Sequence, residues 1–244
     1  MSGLCLTTQG RGTVTALASV GDDVYVLRVT GQQVEVYEAE IFAFKCHIKV
    51  HGLGRGACGL AVCPKNSCLY ASNFSRENVH RVELKAGNAT KNWSVSGRPA
   101  GLSVNKANNL VVASFGARKL QEYTTHGSLM REICLQDAGV TYPWHAVQLS
   151  SGDYAVSHDR SQGEVLIVGM DGRVVQRYGQ SVTSEVGQIK NPRSLAVTKN
   201  DILVADYVND SIVLIKTSTT SLEELALPVY GEIQSPWALC LDES

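Results

Sequence analysis

Short apolar runs alternate with polar turns along the whole chain. The runs are about five to nine residues long and rich in Val, Ile, Leu and Tyr, while Gly, Asn, Asp and Ser fill the intervals between them. No stretch of eleven residues keeps the i, i+3, i+4, i+7 apolar spacing of an amphipathic helix. The pattern therefore predicts an all-β chain of many short strands.

One kind of apolar run recurs with a regular period. Runs such as AGLSV and RSLAV return at intervals of about 42 to 48 residues, and each is followed by a second, a third and a weaker fourth run. Four short strands per repeat of this length are typical of a β-propeller blade, because neighbouring blades bury the faces that one blade leaves exposed. The central residues of the recurring runs are Leu17, Leu60, Leu102, Val147, Leu195 and Leu239.

The most regular repeat, residues 191–215, resembles the NHL repeat. The NHL pattern is Pro-x-Gly-Ile-Ala-Val, a turn, Tyr-Val-Ala-Asp-x-x-Asn and a last apolar strand. Repeats beginning at Pro99, Pro143 and Pro236 match more loosely, and the first two repeats match only in apolar pattern. The resemblance implies the six-bladed propeller of tripartite-motif proteins, where one face binds protein or RNA. The matching residues here are Pro192, Leu195, Ala196, Val197, Val204, Ala205, Asp206 and Asn209.

The blade count depends on how the last recurring run is interpreted. Leu239 begins a sixth repeat that contains only its first strand, and a run within residues 1–11 is placed to add one more strand. We therefore expect a single domain over residues 1–244, a six-bladed propeller whose sixth blade is incomplete. A five-bladed ring with an extra terminal strand is the alternative.

Strand direction predicts which residues share one end of the ring. The first and second strands of a blade are antiparallel, so the start of the first lies beside the end of the second. Aromatic and arginine side chains collect at these positions, and both are common anchors in interfaces. Packing between blades is the alternative role of Trp144 and Trp237, and Asp206 is expected to brace its turn through backbone hydrogen bonds. The predicted binding face consists of Arg28, Asn73, Phe115, Trp144, His145, His158, Arg193, Tyr207 and Trp237.

Two histidines of this face raise the question of catalysis. His145 and His158, with Asp159 or Asp206, have the chemistry to bind a metal ion or to transfer protons. A propeller enzyme with a central metal ion needs ligands from several blades, whereas the corresponding positions here are mostly Arg and Ser. We therefore expect a non-catalytic module that binds a protein and needs no small-molecule cofactor. RNA binding on the same face is one alternative, and a metal-dependent hydrolase or lyase is another.

Charge and cysteine content bear on the partners and the compartment. Lys and Arg number 22 and Asp and Glu 23, and this balance argues against a surface that coats polyanions. The seven cysteines, an odd number, favour free thiols over a disulfide framework, and Cys63 and Cys68 are expected to face each other across a hairpin. The N-terminus lacks a signal-peptide pattern and no apolar run is long enough to cross a bilayer. We expect a soluble, cytoplasmic protein without a membrane partner.

Overall fold

The chain folds into a β-propeller built from consecutive antiparallel sheets. The computed structural model describes residues 13–29, 31–85, 90–159, 163–179, 189–199, 201–218, 221–224 and 235–241. Within these residues, twenty strands form five sheets of four strands each, and the strands of every sheet follow one another in chain order. Each sheet is one blade, and its first strand borders the central channel.

The strand bounds follow the repeat. The first blade contains β1 (Val14–Val20), β2 (Asp23–Arg28), β3 (Gln33–Glu38) and β4 (Phe44–Lys49). The second contains β5 (Ala57–Cys63), β6 (Cys68–Asn73), β7 (Asn78–Glu83) and β8 (Thr90–Ser94). The third contains β9 (Pro99–Val104), β10 (Leu110–Ser114), β11 (Lys119–Tyr123) and β12 (Leu129–Cys134). The fourth contains β13 (Pro143–Gln148), β14 (Tyr154–His158), β15 (Glu164–Val168) and β16 (Val174–Tyr178). The fifth contains β17 (Pro192–Val197), β18 (Asp201–Asp206), β19 (Ser211–Lys216) and β20 (Ser221–Glu224).

The described residues form five blades, so the prediction of a six-bladed ring is wrong and the five-bladed alternative agrees with the structure. Residues 235–241 lie between the fifth and the first blade without forming a strand. Leu239 packs with Ala196 of the fifth blade, and Ala238 packs with Leu17 of the first. The run around Leu239 lines the central channel together with the first strand of each blade. Its recurrence in the sequence therefore marks a position along the channel and not a further sheet.

The second strand is the most buried part of several blades. Every residue of β6, β10 and β14 is buried, whereas the outer strands β4 and β12 are mostly exposed. Neighbouring blades cover both faces of the second strand, so these strands are continuous apolar runs instead of alternating ones. Tyr70 of β6, for example, shares a core cluster with Leu110 and Val112 of β10.

The strand predicted within residues 1–11 lies outside the described residues.

Each first strand has a bulge in its pairing with the second strand. The register of β13 against β14 shifts between Pro143 and His145, which leaves Trp144 without a ladder partner. The pairing of β1, β5, β9 and β17 is irregular at the corresponding end. A bulge inserts an extra residue and re-aims the side chains around it. The start of every first strand therefore departs from simple alternation.

The backbone hydrogen bonds predicted for Asp206 are present, but they hold a different segment from the one expected. The Asp206 carboxylate accepts hydrogen bonds from the backbone N–H groups of Lys190 (2.9 Å) and Asn191 (2.8 Å) at the entrance to β17. Within its own turn, Asp206 accepts a hydrogen bond from the side-chain amide of Asn209 at 2.7 Å. Cys63 and Cys68 are directly paired residues of β5 and β6, and both are free thiols. Among the described residues, no helix is long and apolar enough to cross a membrane.

Candidate binding surface

Aromatic side chains from four blades meet at one end of the ring. Phe74, Phe115 and Tyr207 each begin the turn after a second strand, and Tyr142 lies just before the first strand of the fourth blade. Antiparallel pairing brings these chain positions to the same end. We call this set, with the arginine that it surrounds, the aromatic surface: Phe74, Phe115, Tyr142, Trp144, Arg193, Tyr207 and Trp237.

The rings of the aromatic surface form a continuous chain of contacts. Phe115 stacks on Tyr142 with ring centroids 4.7 Å apart, and its edge meets Phe74 at 5.4 Å. Trp144 meets Phe115 edge to face at 5.6 Å and Trp237 at the same distance. Edge-to-face and offset-stacked geometries are the favourable ones for aromatic pairs. The cluster is therefore a preorganised surface and not a set of independent side chains.

Arg193 lies in a box of aromatic rings. Its guanidinium carbon is 4.0 Å from the ring centroid of Trp144, 4.8 Å from that of Trp237 and 5.7 Å from that of Tyr207. Its Nη2 atom is 3.5 Å from a carboxylate oxygen of Asp159. Burial lowers the pKa of Arg193, but guanidinium groups start so high that the side chain stays charged. Cation–π attraction to these three rings stabilises the guanidinium of Arg193 in place of its lost hydration.

Exposure differs across the aromatic surface. Tyr142 is 46% exposed, whereas the side chain of Arg193 is only 12% exposed. The other five rings of the aromatic surface are intermediate. The most exposed ring thus lies at the entrance to the fourth blade, while Trp144, Arg193 and Trp237 border the channel.

His145 belongs to the channel wall and not to the aromatic surface. Its Nδ1 atom accepts a hydrogen bond from the backbone N–H of Leu195 (3.0 Å), so its Nε2 atom carries the proton and donates to the carbonyl of Leu102 (3.0 Å). Desolvation lowers the pKa of His145. The ring therefore joins the third, fourth and fifth blades as a neutral imidazole, and both of its nitrogens are occupied by backbone groups.

The other members of the predicted face that lie apart also have structural partners. His158 is fully buried, and its Nε2 atom lies 3.0 Å from Oε2 of Glu164. Arg28 pairs with Glu35 at 2.9 Å. Asn73 donates to the carbonyl of Arg55 and accepts the N–H of Arg76, which fixes the loop and the turn around it. The structure therefore gathers Phe115, Trp144, Arg193, Tyr207 and Trp237 from the predicted face and places Arg28, Asn73, His145 and His158 elsewhere.

Sequence reasoning missed two rings of the aromatic surface. Phe74 begins the β6–β7 turn just as Phe115 begins the β10–β11 turn, so comparing the same turn position between repeats was enough to find it. Tyr142 precedes Pro143 at the entrance to β13 and gives no comparable signal, because none of the other blades has an aromatic residue there.

The central channel has a volume of about 220 Å³ and is lined by the first strands and by residues 237–241. Among the described residues, no group of three or more His, Cys, Asp or Glu side chains is placed to hold a metal ion.

Comparison with known proteins identifies the fold alone. No family model matches the sequence, and no curated protein does. The chain is similar to virginiamycin B lyase from Staphylococcus aureus, with 14% identity over 97% of this chain and 76% of that one and a TM-score of 0.68. It is similar to a chain of a nidogen/laminin complex, with 11% identity, 93% and 84% coverage and a TM-score of 0.72. Hydrazine synthase from Kuenenia stuttgartiensis gives 13% identity, 88% and 81% coverage and a TM-score of 0.63. These likenesses confirm a β-propeller, which both enzymes and proteins in complexes share.

Proposed function

We propose that this chain is a non-catalytic propeller that binds a protein partner through the aromatic surface. The observation that carries the proposal is the unbroken cluster of six rings and one arginine at one end of the ring, with Tyr142 at its exposed side. Aromatic and arginine residues dominate the binding energy of protein interfaces, and Tyr and Trp bury large areas at low cost in side-chain entropy. Loops on a rigid scaffold are the usual place for such anchors.

The ring geometry supports a protein partner over RNA. Single-stranded RNA binds by stacking bases on free aromatic faces. Here one face of Phe115 is covered by Tyr142, and a face of Trp144 is covered by the Arg193 guanidinium. The edges and gaps between rings remain, and these suit aliphatic or aromatic side chains of a partner better than flat bases.

The histidine geometry supports a binding role over catalysis. The lyase among the similar structures keeps a metal-dependent or acid–base enzyme in view as the alternative. A general base needs a nitrogen that is able to take a proton from a substrate. Both nitrogens of His145 already bond backbone groups, and His158 is buried against Glu164 away from solvent.

Two further assignments belong to this proposal. The NHL-type origin rests on the match of residues 191–215, which fold as the first three strands of the fifth blade. The cytoplasmic location rests on the cysteine content, because an odd number of cysteines favours free thiols over the disulfide framework of an oxidising compartment.

Affinity purification with matched variants tests the proposed function. Tyr142→Ala removes an exposed ring of the aromatic surface, and Val175→Ala removes an apolar side chain that is 61% exposed on the outer strand of the same blade. We expect a discrete partner to be retained by the wild-type chain and by Val175→Ala and lost with Tyr142→Ala. Equal retention by both variants, measured by quantitative mass spectrometry, means that the aromatic surface is not the docking site.

A further inference from the structure

Exposed arginines surround the aromatic surface on the second and third blades. Arg55, Arg76, Arg98 and Arg118 all lie in loops at this end of the ring, and all are exposed. The same loops contain one carboxylate, that of Glu77. These four loops are therefore locally basic in a chain whose net charge is −1. The loops are residues 50–56, 74–77, 95–98 and 115–118.

Contacts between the loops make this a continuous surface. Within the second blade, Nη1 of Arg76 donates to the carbonyl of Gly52 at 2.6 Å. Within the third, the N–H of Gly116 donates to the carbonyl of Gly97 at 2.8 Å. The guanidinium carbon of Arg98 lies 5.8 Å from the ring centroid of Phe74, so the arginines adjoin the aromatic surface directly.

Within the part of the chain that the structure describes, the charges of these loops have no ion-pair partner. Among the described residues, no carboxylate forms an ion pair with Arg55, Arg76, Arg98 or Arg118. Unpaired like charges on adjacent loops repel one another, and an anionic partner removes that repulsion. By contrast, ion pairs with carboxylates hold Arg28, Arg81, Arg131, Arg173, Arg177 and Arg193.

We propose that the partner docks through an acidic peptide segment that crosses the second and third blades, an inference that rests on the proposed protein-binding function. Its carboxylates pair with the four arginines, because guanidinium forks match carboxylates in bidentate hydrogen bonds. An apolar side chain of the segment packs on Phe74, Phe115 and Tyr142. Bases cannot stack on ring faces that are already covered, whereas an apolar side chain still packs against the ring edges. This difference favours an acidic peptide over a nucleic acid.

A random peptide display library, panned on the immobilised full chain, tests the proposal. We expect the enriched peptides to combine an excess of Asp and Glu with at least one large apolar residue. The leading peptide is then titrated by fluorescence anisotropy against the triple variant Arg55→Glu, Arg98→Glu, Arg118→Glu. Arg76 is left unchanged because it also holds the Gly52 loop. The Kd of the leading peptide should rise at least about tenfold in the triple variant. Its binding to the wild-type chain should weaken as NaCl rises from about 0.05 M to about 0.5 M.

Arg173→Glu is the matched control, since Arg173 is an exposed arginine in the β15–β16 turn at the opposite end of the ring. Its Kd should equal that of wild type, and circular dichroism melts should show that all variants fold. Enrichment of neutral or basic peptides whose binding is lost in Tyr142→Ala overturns the acidic segment but keeps the proposed function. If no peptide is enriched, or if oligouridine alone binds and is lost in the triple variant, both are overturned.

Discussion

The binding role of the surface depends on a rigid ring, and His145 gives a direct measure of what holds the blades together. His145→Leu removes one acceptor and one donor, leaving the N–H of Leu195 and the carbonyl of Leu102 without their partner. A buried polar group that loses its partner costs about 1 to 3 kcal/mol. Because the imidazole borders the channel, where water replaces part of the lost hydrogen bonding, we take the lower half of this range, about 1 to 2 kcal/mol, for each group. With two such groups, the free energy of unfolding should fall by about 2 to 4 kcal/mol.

The pH dependence follows from the same geometry. Burial favours the neutral form of His145, so its pKa in the folded chain lies below the ordinary histidine value of 6.5. Between the folded and unfolded pKa values the unfolded chain binds more protons, so the free energy of unfolding falls as the pH drops below 6.5 and stops falling beneath the folded pKa. The slope from one such group is at most about 1.4 kcal/mol per pH unit. Burial also lowers the pKa of His80, which contributes in the same direction in every variant.

Urea unfolding of wild type, His145→Gln and His145→Leu from pH 8 to pH 5 separates these effects. The Gln amide is able to donate to the Leu102 carbonyl but does not titrate, so this variant should be intermediate in stability and should show a shallower loss at acid pH. A His145→Leu protein as stable as wild type refutes the bridging role. Identical pH slopes in wild type and His145→Gln refute the neutral-histidine argument.

Two other predictions concern packing and thiol chemistry. A methyl group at Gly59 would lie 2.3 Å from the Ala100 carbonyl oxygen, so Gly59→Ala should lower the free energy of unfolding by at least about 2 kcal/mol. Gly116→Ala is the control, because the nearest atom to its methyl group would be 3.5 Å away, and it should change the free energy of unfolding by less than about 0.5 kcal/mol. Urea melts measure both values. Native protein treated with a thiol reagent should be labelled at exposed Cys46 and not at buried Cys63 until denaturant is added, as peptide mass spectrometry will show; early labelling of Cys63 contradicts the described burial.

The propeller itself was predictable because burial imposes a repeating pattern. Apolar runs around residues such as Leu60 and Leu102 recur at each first strand, and both are buried there. Leu239 satisfies the same pattern without belonging to a sheet, because packing against Ala196 and Ala205 of the fifth blade requires an apolar residue and not a strand. Periodicity therefore identified the ring but overestimated its number of blades.

The candidate surface was only partly predictable because bulges alter side-chain direction. Antiparallel pairing correctly placed Trp144 and His145 at the same end of the ring. The bulge between Pro143 and His145 then separates their roles, with Trp144 in the aromatic surface and His145 bonded across the channel wall. Alternation along a sequence gives no sign of such a shift in register.

Residues 235–241 combine two roles, since they join the first and last blades and also contribute to the candidate binding surface. The segment fills the space between the first and last blades, and Ser19 holds it by donating a hydrogen bond to the carbonyl of Leu241. Trp237 of this segment is also part of the aromatic surface. A partner that contacts Trp237 therefore also binds the segment that joins the first and last blades, and its binding free energy adds to the free energy needed to separate them.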